Sequence, residues 1–174
     1  MFATIYVPNF YLQAALRHQP ELAGTPVGLI DGQEAKAVII QLNAAAEAVG
    51  VRSGMTPSQG LARCLQLVVK TRLRAQECML DELLLQFAFT LAPFVEATAP
   101  GICTVQSTDA KNLARHVLRV IEQLRDAGIA AQGGIAPTPD ASLLAAHLAK
   151  PVLQIDDAKD FLAPLPIETL ATAL

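Results

Sequence analysis

The sequence predicts an α+β fold: a ferredoxin-like βαββαβ sheet with a small α/β lobe inserted after its first helix. Three observations carry this. Short β-prone runs alternate with helical stretches in the order β-α, then β-β-α-α-β, then α-β-β-α-β-α-β. Glycine and proline punctuate most junctions, which marks turns rather than continuing elements. Of the 174 residues 52% are apolar, enough for a core, and no run approaches the ~20 apolar residues of a membrane span. Removing the central lobe leaves a split βαββαβ order, with the helices expected on one face of the sheet.

Each element has a local reason. Ala3 to Val7 is β-prone and closed by Pro8. Asn9 is placed to cap a helix over 10–18 with Phe10, Ala14 and Leu16 among its apolar positions. Residues 20–26 read as a loop. Val27 to Ile30 and Ala37 to Leu42 form a hairpin around the turn signal Asp31-Gly32. Asn43 caps an alanine-rich helix to Val49, and Gly50 follows where a left-handed residue is needed. Thr56-Pro57 opens a helix to Cys64, because proline lacks only an N–H that the first turn does not use. Leu67 to Lys70 is a strand.

From Arg72 to Leu91, the positions Leu73, Leu80, Leu83, Leu84, Phe87 and Leu91 share one helix face. Pro93 to Thr98 and Ile102 to Gln106 flank Pro100-Gly101 as a hairpin. Thr108 or Asp109 caps a helix that turns Leu113, Val117, Val120, Ile121 and Leu124 inward and stops at Gly128. Ile129 to Ala136 is a strand. Thr138 or Asp140 then caps a helix with Leu143, Leu144 and Leu148, ended by Pro151. Val152 to Ile155 is the last strand, and Pro164 and Pro166 bracket a turn into a final helix.

The formal net charge of −3 is not that of a basic nucleic-acid-binding domain. Basic residues do gather at Arg63, Lys70, Arg72 and Arg74, and at Lys111, Arg115, Arg119 and Arg125, where they read as a solvated helix face. Cys64, Cys78 and Cys103 are far apart, without a Cys-x-x-Cys, and read as reduced, buried thiols. The three histidines form no ligand-spaced cluster. Met-Phe-Ala-Thr lacks the charged start of a signal peptide, so a cytoplasmic protein with no membrane partner is expected.

Five segments carry a resemblance: Leu22-Ala-Gly-Thr-Pro-Val27, Gly50-Val-Arg-Ser-Gly-Met55, Gly134-Ile-Ala-Pro137, Leu148-Ala-Lys-Pro151 and Phe161-Leu-Ala-Pro-Leu-Pro166. In order and rough spacing they resemble the Y-family (translesion, DinB/UmuC-like) DNA polymerases over nearly the whole chain. The resemblance implies a palm at 1–18 and 72–166, fingers at 19–71, and the start of a truncated thumb at 167–174. In that family the first strand ends in Asp-x-Asp, then one residue and two aromatics. Phe10-Tyr11 match the aromatics, which puts Tyr6 and Pro8 at the acidic positions. The Asp-Glu of a Ser-x-Asp-Glu hairpin motif aligns with Gly101-Ile102. The fingers' Tyr and Arg align with Ala44 and Glu47, and an Asn-Lys pair aligns with Thr138-Pro139.

Polymerisation needs two Mg²⁺ ions held by carboxylate oxygens. The pattern of losses is similar to the catalytically degenerate ImuB-type subunit of the bacterial damage-inducible mutasome. It implies a non-catalytic adaptor in the SOS response and translesion synthesis, with no metal ligand, no catalytic residue and no cofactor. Lys150 and Tyr11 are its candidate phosphate or nucleotide contacts, and Arg52 its candidate DNA-backbone contact. The implied partners are primer–template DNA, the replication clamp and an active translesion polymerase. One alternative is an active Mg²⁺-dependent nucleotidyltransferase with rearranged ligands among Asp31, Glu96 and Asp109. Another is a protein-interaction domain that kept the palm fold. Asp81-Glu82 and Asp156-Asp157 read as caps or solvated charges.

Overall fold

The computed structural model describes residues 1–22, 24–32 and 37–171. In chain order its elements are β1 (Phe2–Tyr6), α1 (Phe10–Leu16), β2 (Val27–Ile30), β3 (Ile39–Leu42), α2 (Ala44–Ala48), α3 (Pro57–Arg63), β4 (Val68–Thr71) and α4 (Arg74–Phe89). There follow β5 (Phe94–Ala99), β6 (Ile102–Gln106), α5 (Leu113–Asp126), β7 (Gln132–Ala136), α6 (Pro139–Leu148), β8 (Val152–Gln154), α7 (Ala158–Leu162) and α8 (Glu168–Ala171). Pro20–Leu22 adds one 3-10 turn inside the expected loop. This is the mixed α/β class that the element order predicts. Among the described residues no helix is long and apolar enough to cross a membrane.

The chain forms two compact units, Met1–Pro8 with the chain from Leu80 onward, and Asn9–Met79. These divisions differ from 18/19 and 71/72. Leu12 and Ala15 of α1 are buried in one cluster with Val27 and Leu29 of β2, so α1 goes with the second unit.

In the first unit the sheet order is β5-β6-β1-β7-β8. β1 pairs antiparallel with both β6 and β7, and β8 runs parallel to β7. The first four strands thus have the split βαββαβ arrangement. The helices, however, are not all on one face. A Cβ on Gly133 would meet Val117 and Ile121 of α5, whereas one on Gly134 would meet the α6 backbone at Ser142, Ala145 and Ala146. Consecutive strand residues point to opposite faces, so α5 and α6 cover opposite faces. Periodicity shows that a helix has a buried face; it does not say which side of a sheet receives it.

The α6 side carries a buried hydroxyl chain. Thr4 Oγ1 lies 2.9 Å from Thr104 Oγ1 and 2.7 Å from Ser142 Oγ. Ser142 Oγ donates to the Pro139 carbonyl at 2.7 Å, so the protons run from Thr104 through Thr4 to Ser142. Each of these buried hydroxyls is satisfied, as a low-dielectric site requires.

In the second unit β2 lies between β3, antiparallel, and β4, parallel. Residues 33–36 of the expected hairpin turn lie outside the described residues. Ile30, Ile39, Leu42, Ala46, Val51 and Leu67 form a buried cluster on this unit. Asn43 Oδ1 accepts from Ala46 N–H and Val27 N–H, each at 3.0 Å, joining the α2 cap to β2. Thr56 and Gln59 form a reciprocal capping box on α3.

Other local expectations shift. Asn9 sits at the α1 N-cap in a left-handed conformation (φ 49°) and makes no side-chain cap bond. Asn112 rather than Thr108 or Asp109 precedes α5, and Asp109 instead accepts from Asn112 Nδ2 at 3.0 Å. Thr138, not Asp140, caps α6 by accepting from Ala141 N–H. α4 starts after Leu73, which is 52% exposed, and its buried positions are Glu77, Leu80, Leu84 and Ala88.

Candidate functional site

Tyr6, Pro8, Gly101 and Ile102 come together at one end of the five-stranded sheet. Tyr6 ends β1 opposite Ile102, which begins β6. The Val7 N–H donates to the Gly101 carbonyl at 2.9 Å, and Pro8 follows. Gln132 of β7 pairs with Tyr6 on the other side. The Gly133 N–H donates to the Pro151 carbonyl at 2.8 Å, which brings exposed Lys150 to the same end. The sheet register therefore assembles four of the positions aligned with the family's acidic motifs, together with Lys150.

The Tyr6 ring lies against His147 of α6, with centroids 4.0 Å apart and planes inclined by 34°. Burial pushes the Tyr6 phenol above its ordinary 10.0 and the His147 imidazole below its ordinary 6.5, so both are neutral at pH 7. His147 Nε2 is buried without a hydrogen-bond partner among the described residues. Nothing in the sequence pairs residue 6 with residue 147; only the packing of α6 on β1 does.

His147 also sets a pH dependence. Its folded pKa lies below the unfolded value of 6.5, so between the two the unfolded chain binds more protons. The contribution of neutral His147 is complete above pH 6.5 and is lost as pH falls below it. Between pH about 7 and about 5 the melting temperature of His147→Phe should fall less than that of the parent. Equal falls in the two proteins would show that burial does not shield His147.

Mg²⁺ takes hard oxygen ligands, carboxylates above all. The four aligned positions offer a neutral phenol, a prolyl ring, a glycine and a branched alkyl chain, and these do not fit the ion. Asp81 of α4 reaches this end of the sheet as a hydrogen-bond acceptor. Its Oδ1 accepts the Gly101 N–H at 2.9 Å and so tethers the β5–β6 turn. Burial, with the Asp81 charge second, pushes the Cys103 thiol up to about 12. Cys103 alone of the three thiols is buried, whereas Cys78 is exposed. Iodoacetamide at pH about 8 should therefore label Cys78 and leave Cys103 unmodified until the chain unfolds, as peptide mapping would show. Labelling of Cys103 in the folded chain would contradict its burial.

The acids proposed for a rearranged site do not assemble. Asp31 Oδ2 accepts from Arg72 Nη1 at 3.0 Å in the second unit. Glu96 pairs across the sheet with Thr104, away from Tyr6. Asp109 lies beyond the opposite end of β6 and is held by Asn112, which keeps its carboxyl below the usual range. Among the described residues no group of three or more His, Cys, Asp and Glu could hold a metal ion.

In the second unit Tyr11 lies under the Arg72 guanidinium, 3.8 Å from Arg72 Cζ to the ring centroid. Arg72 also forks onto Glu77, with Nε to Oε1 and Nη2 to Oε2 both 2.8 Å. Its sequence neighbours suggest a basic patch, but Arg72 is an internal clamp. Ala44 and Glu47 are exposed one helical turn apart on α2. Arg52 Nη1 donates to the Glu47 and Val51 carbonyls, each at 2.7 Å, fixing this exposed side chain on the turn.

A family model described as the impB/mucB/samB family matches residues 5–147. The chain is 29% identical over 171 residues to a DNA polymerase IV of Pseudomonas savastanoi pv. phaseolicola, covering 92% of this chain and 48% of that protein. It is 25% identical over 170 residues to a DNA polymerase IV of Ralstonia nicotianae, with the same two coverages. The chain thus spans about half the length of these curated relatives. Among solved structures, a post-insertion binary complex of Dbh DNA polymerase matches with a TM-score of 0.86 at 16% identity, covering 97% of this chain and 52% of that one. DinB from Sulfolobus solfataricus matches with a TM-score of 0.83 at 16% identity and the same coverages. At that identity the structural likeness speaks for the fold.

Proposed function

The chain belongs to the impB/mucB/samB family of Y-family polymerase domains, and from that premise we propose that it is a non-catalytic member, acting as a DNA-binding adaptor in translesion synthesis. One observation carries the reading: the strand ends that hold carboxylates in the family meet here as Tyr6, Pro8, Gly101 and Ile102. Glu47 stands where the family places an arginine, and a carboxylate repels a triphosphate wherever water is partly excluded.

The first unit then serves as the palm, and the second, which contains the lobe over 19–71 together with α1, as the fingers. Lys150, exposed at the emptied end of the sheet, and Arg52, fixed on its turn, are the proposed phosphate contacts. Tyr11, held beneath Arg72, serves as packing rather than as a sugar platform. The same reading gives the protein the replication clamp and an active translesion polymerase as partners, in the damage response of the cytoplasm.

Thermal unfolding with millimolar Mg²⁺ and a deoxynucleoside triphosphate tests the loss of catalysis. A ligand at about 100 times its Kd adds ~2.7 kcal/mol, a shift of several degrees, and no shift is expected. A Mg²⁺-dependent shift, or nucleotidyl transfer, would overturn the non-catalytic reading. Filter binding to primer–template DNA tests the adaptor role: binding is expected at ~50 mM salt and should weaken steeply as salt rises. No retention at that salt would favour a protein-interaction domain instead.

A further inference from the structure

We propose that the outer edge of β5 docks an extended segment of a partner protein, which joins the sheet as a sixth strand and carries basic side chains beside an apolar one. Among the described residues β5 is the edge of the five-stranded sheet and pairs on one side only, with β6. An edge strand presents backbone N–H and C=O groups that another chain can satisfy, and proteins ordinarily guard such edges with lysine, proline or a covering element. Phe94–Ala99 contains neither lysine nor proline, its guards are one charge, Glu96, and the bulge at its turn end, and every residue of it except Val95 is exposed. The one irregularity falls between Ala97 and Ala99, at the turn end. Phe94 to Ala97 therefore keep a regular register against Gln106 to Cys103, long enough for a short added strand.

Beside that regular half lies a cavity of about 280 Å³. Phe94, Gln106 and Phe2 form one cross-strand row, and Glu96 and Thr104 begin the next. These residues share the α6 side of the sheet, where Pro139 at the start of α6 bounds the cavity. Phe94 is 72% exposed, a large aromatic with no cover on its outer side. An added strand would place alternate side chains on this face, one of them against the exposed outer side of Phe94.

Charge selects the occupant. Among the described residues lining the cavity Glu96 alone is charged, so a neighbouring lysine or arginine is favoured. A second copy of the chain is disfavoured, because antiparallel pairing of two such edges would bring their Glu96 carboxylates close together. Nucleic acid is disfavoured for the same reason. This inference stands apart from the DNA-binding reading, since peptide and DNA are measured in separate experiments.

The probe is a short fluorescein-labelled peptide in which lysines flank a phenylalanine within an alternating Val/Thr strand, titrated with the full chain. Saturable binding with a Kd of ~10–100 μM is expected, together with hydrogen-exchange protection of β5 amides. Glu96→Gln should weaken it about threefold and Phe94→Ala about tenfold. Methylating alternate peptide nitrogens should abolish binding in one of the two alternating patterns only. The proposal is overturned by no saturation up to ~1 mM, by equal binding of a peptide with glutamates for the lysines, or by indifference to both methylation patterns. Self-association of the chain through β5 would overturn it too.

Discussion

Gly134→Ala should lose ~4 kcal/mol or more of stability, whereas Gly133→Ala, one residue earlier, should lose ~1–3 kcal/mol. The two sites differ in what an added methyl meets. At Gly134 the Cβ would fall on Ser142 O and Ala146 N, and 2.8 Å from Ala145 C, all backbone atoms of α6. A helix backbone cannot rotate out of the way, so β7 and α6 must separate, which also strains the Thr4–Ser142 hydrogen bond. At Gly133 the nearest atom is Val117 Cγ1 at 2.5 Å, one side-chain methyl that can give way by a small local shift, at a cost, where a helix backbone cannot. Urea unfolding of the two variants checks the order. A smaller loss for Gly134→Ala than for Gly133→Ala would mean that α6 does not rest directly on β7.

Arg72→Ala should destabilise the second unit by ~3 kcal/mol, and Asp31→Ala by no more than ~1 kcal/mol. Glu77 is 8% exposed, so removing Arg72 strands a carboxylate in a poorly solvated place and also uncovers the Tyr11 ring. The Asp31 side chain is 61% exposed, where water screens its pairing with Arg72. Replacing both members, as Arg72→Met with Glu77→Leu, should recover most of the loss, because no unpaired charge is left buried. Chemical denaturation of the three variants is the measurement. If Arg72→Ala costs no more than Asp31→Ala, the Arg72–Glu77 fork contributes little.

Both predictions rest on features that local spacing does not reveal. Arg72 and Glu77 are five residues apart, with Arg72 preceding α4, outside the three- and four-residue spacings that signal helix ion pairs. Gly134 reads as a turn glycine before Pro137; that it is a landing site for a helix backbone appears only once α6 is placed. By contrast, Asn43 was legible as a cap, Thr138 as one of two candidates with Asp140, and Thr56-Pro57 as a helix start, because capping joins a side chain to an N–H two or three residues ahead. Asn9 misled for a related reason. Asparagine suits an N-cap and also tolerates left-handed backbone, and here the second property is used.

The candidate site divides the same way. Alignment on Phe10-Tyr11 and on the Ser-x-Asp-Glu hairpin motif was enough to find the positions without carboxylates, since side-chain chemistry is written in the letters. Their convergence needed the β1–β6 register, which hydrogen bonding sets across 95 intervening residues or more. The sequence by itself determined the order of the elements, the Asn43 cap, and the absence of carboxylates at positions 6, 8, 101 and 102. The tertiary structure alone decided the side of the sheet that α6 covers, the unit that α1 joins, the stacking of Tyr6 on His147 and the partners of Arg72. Local elements follow from interactions a few residues apart, whereas these pairings depend on which surfaces of distant segments fit closely enough to exclude water.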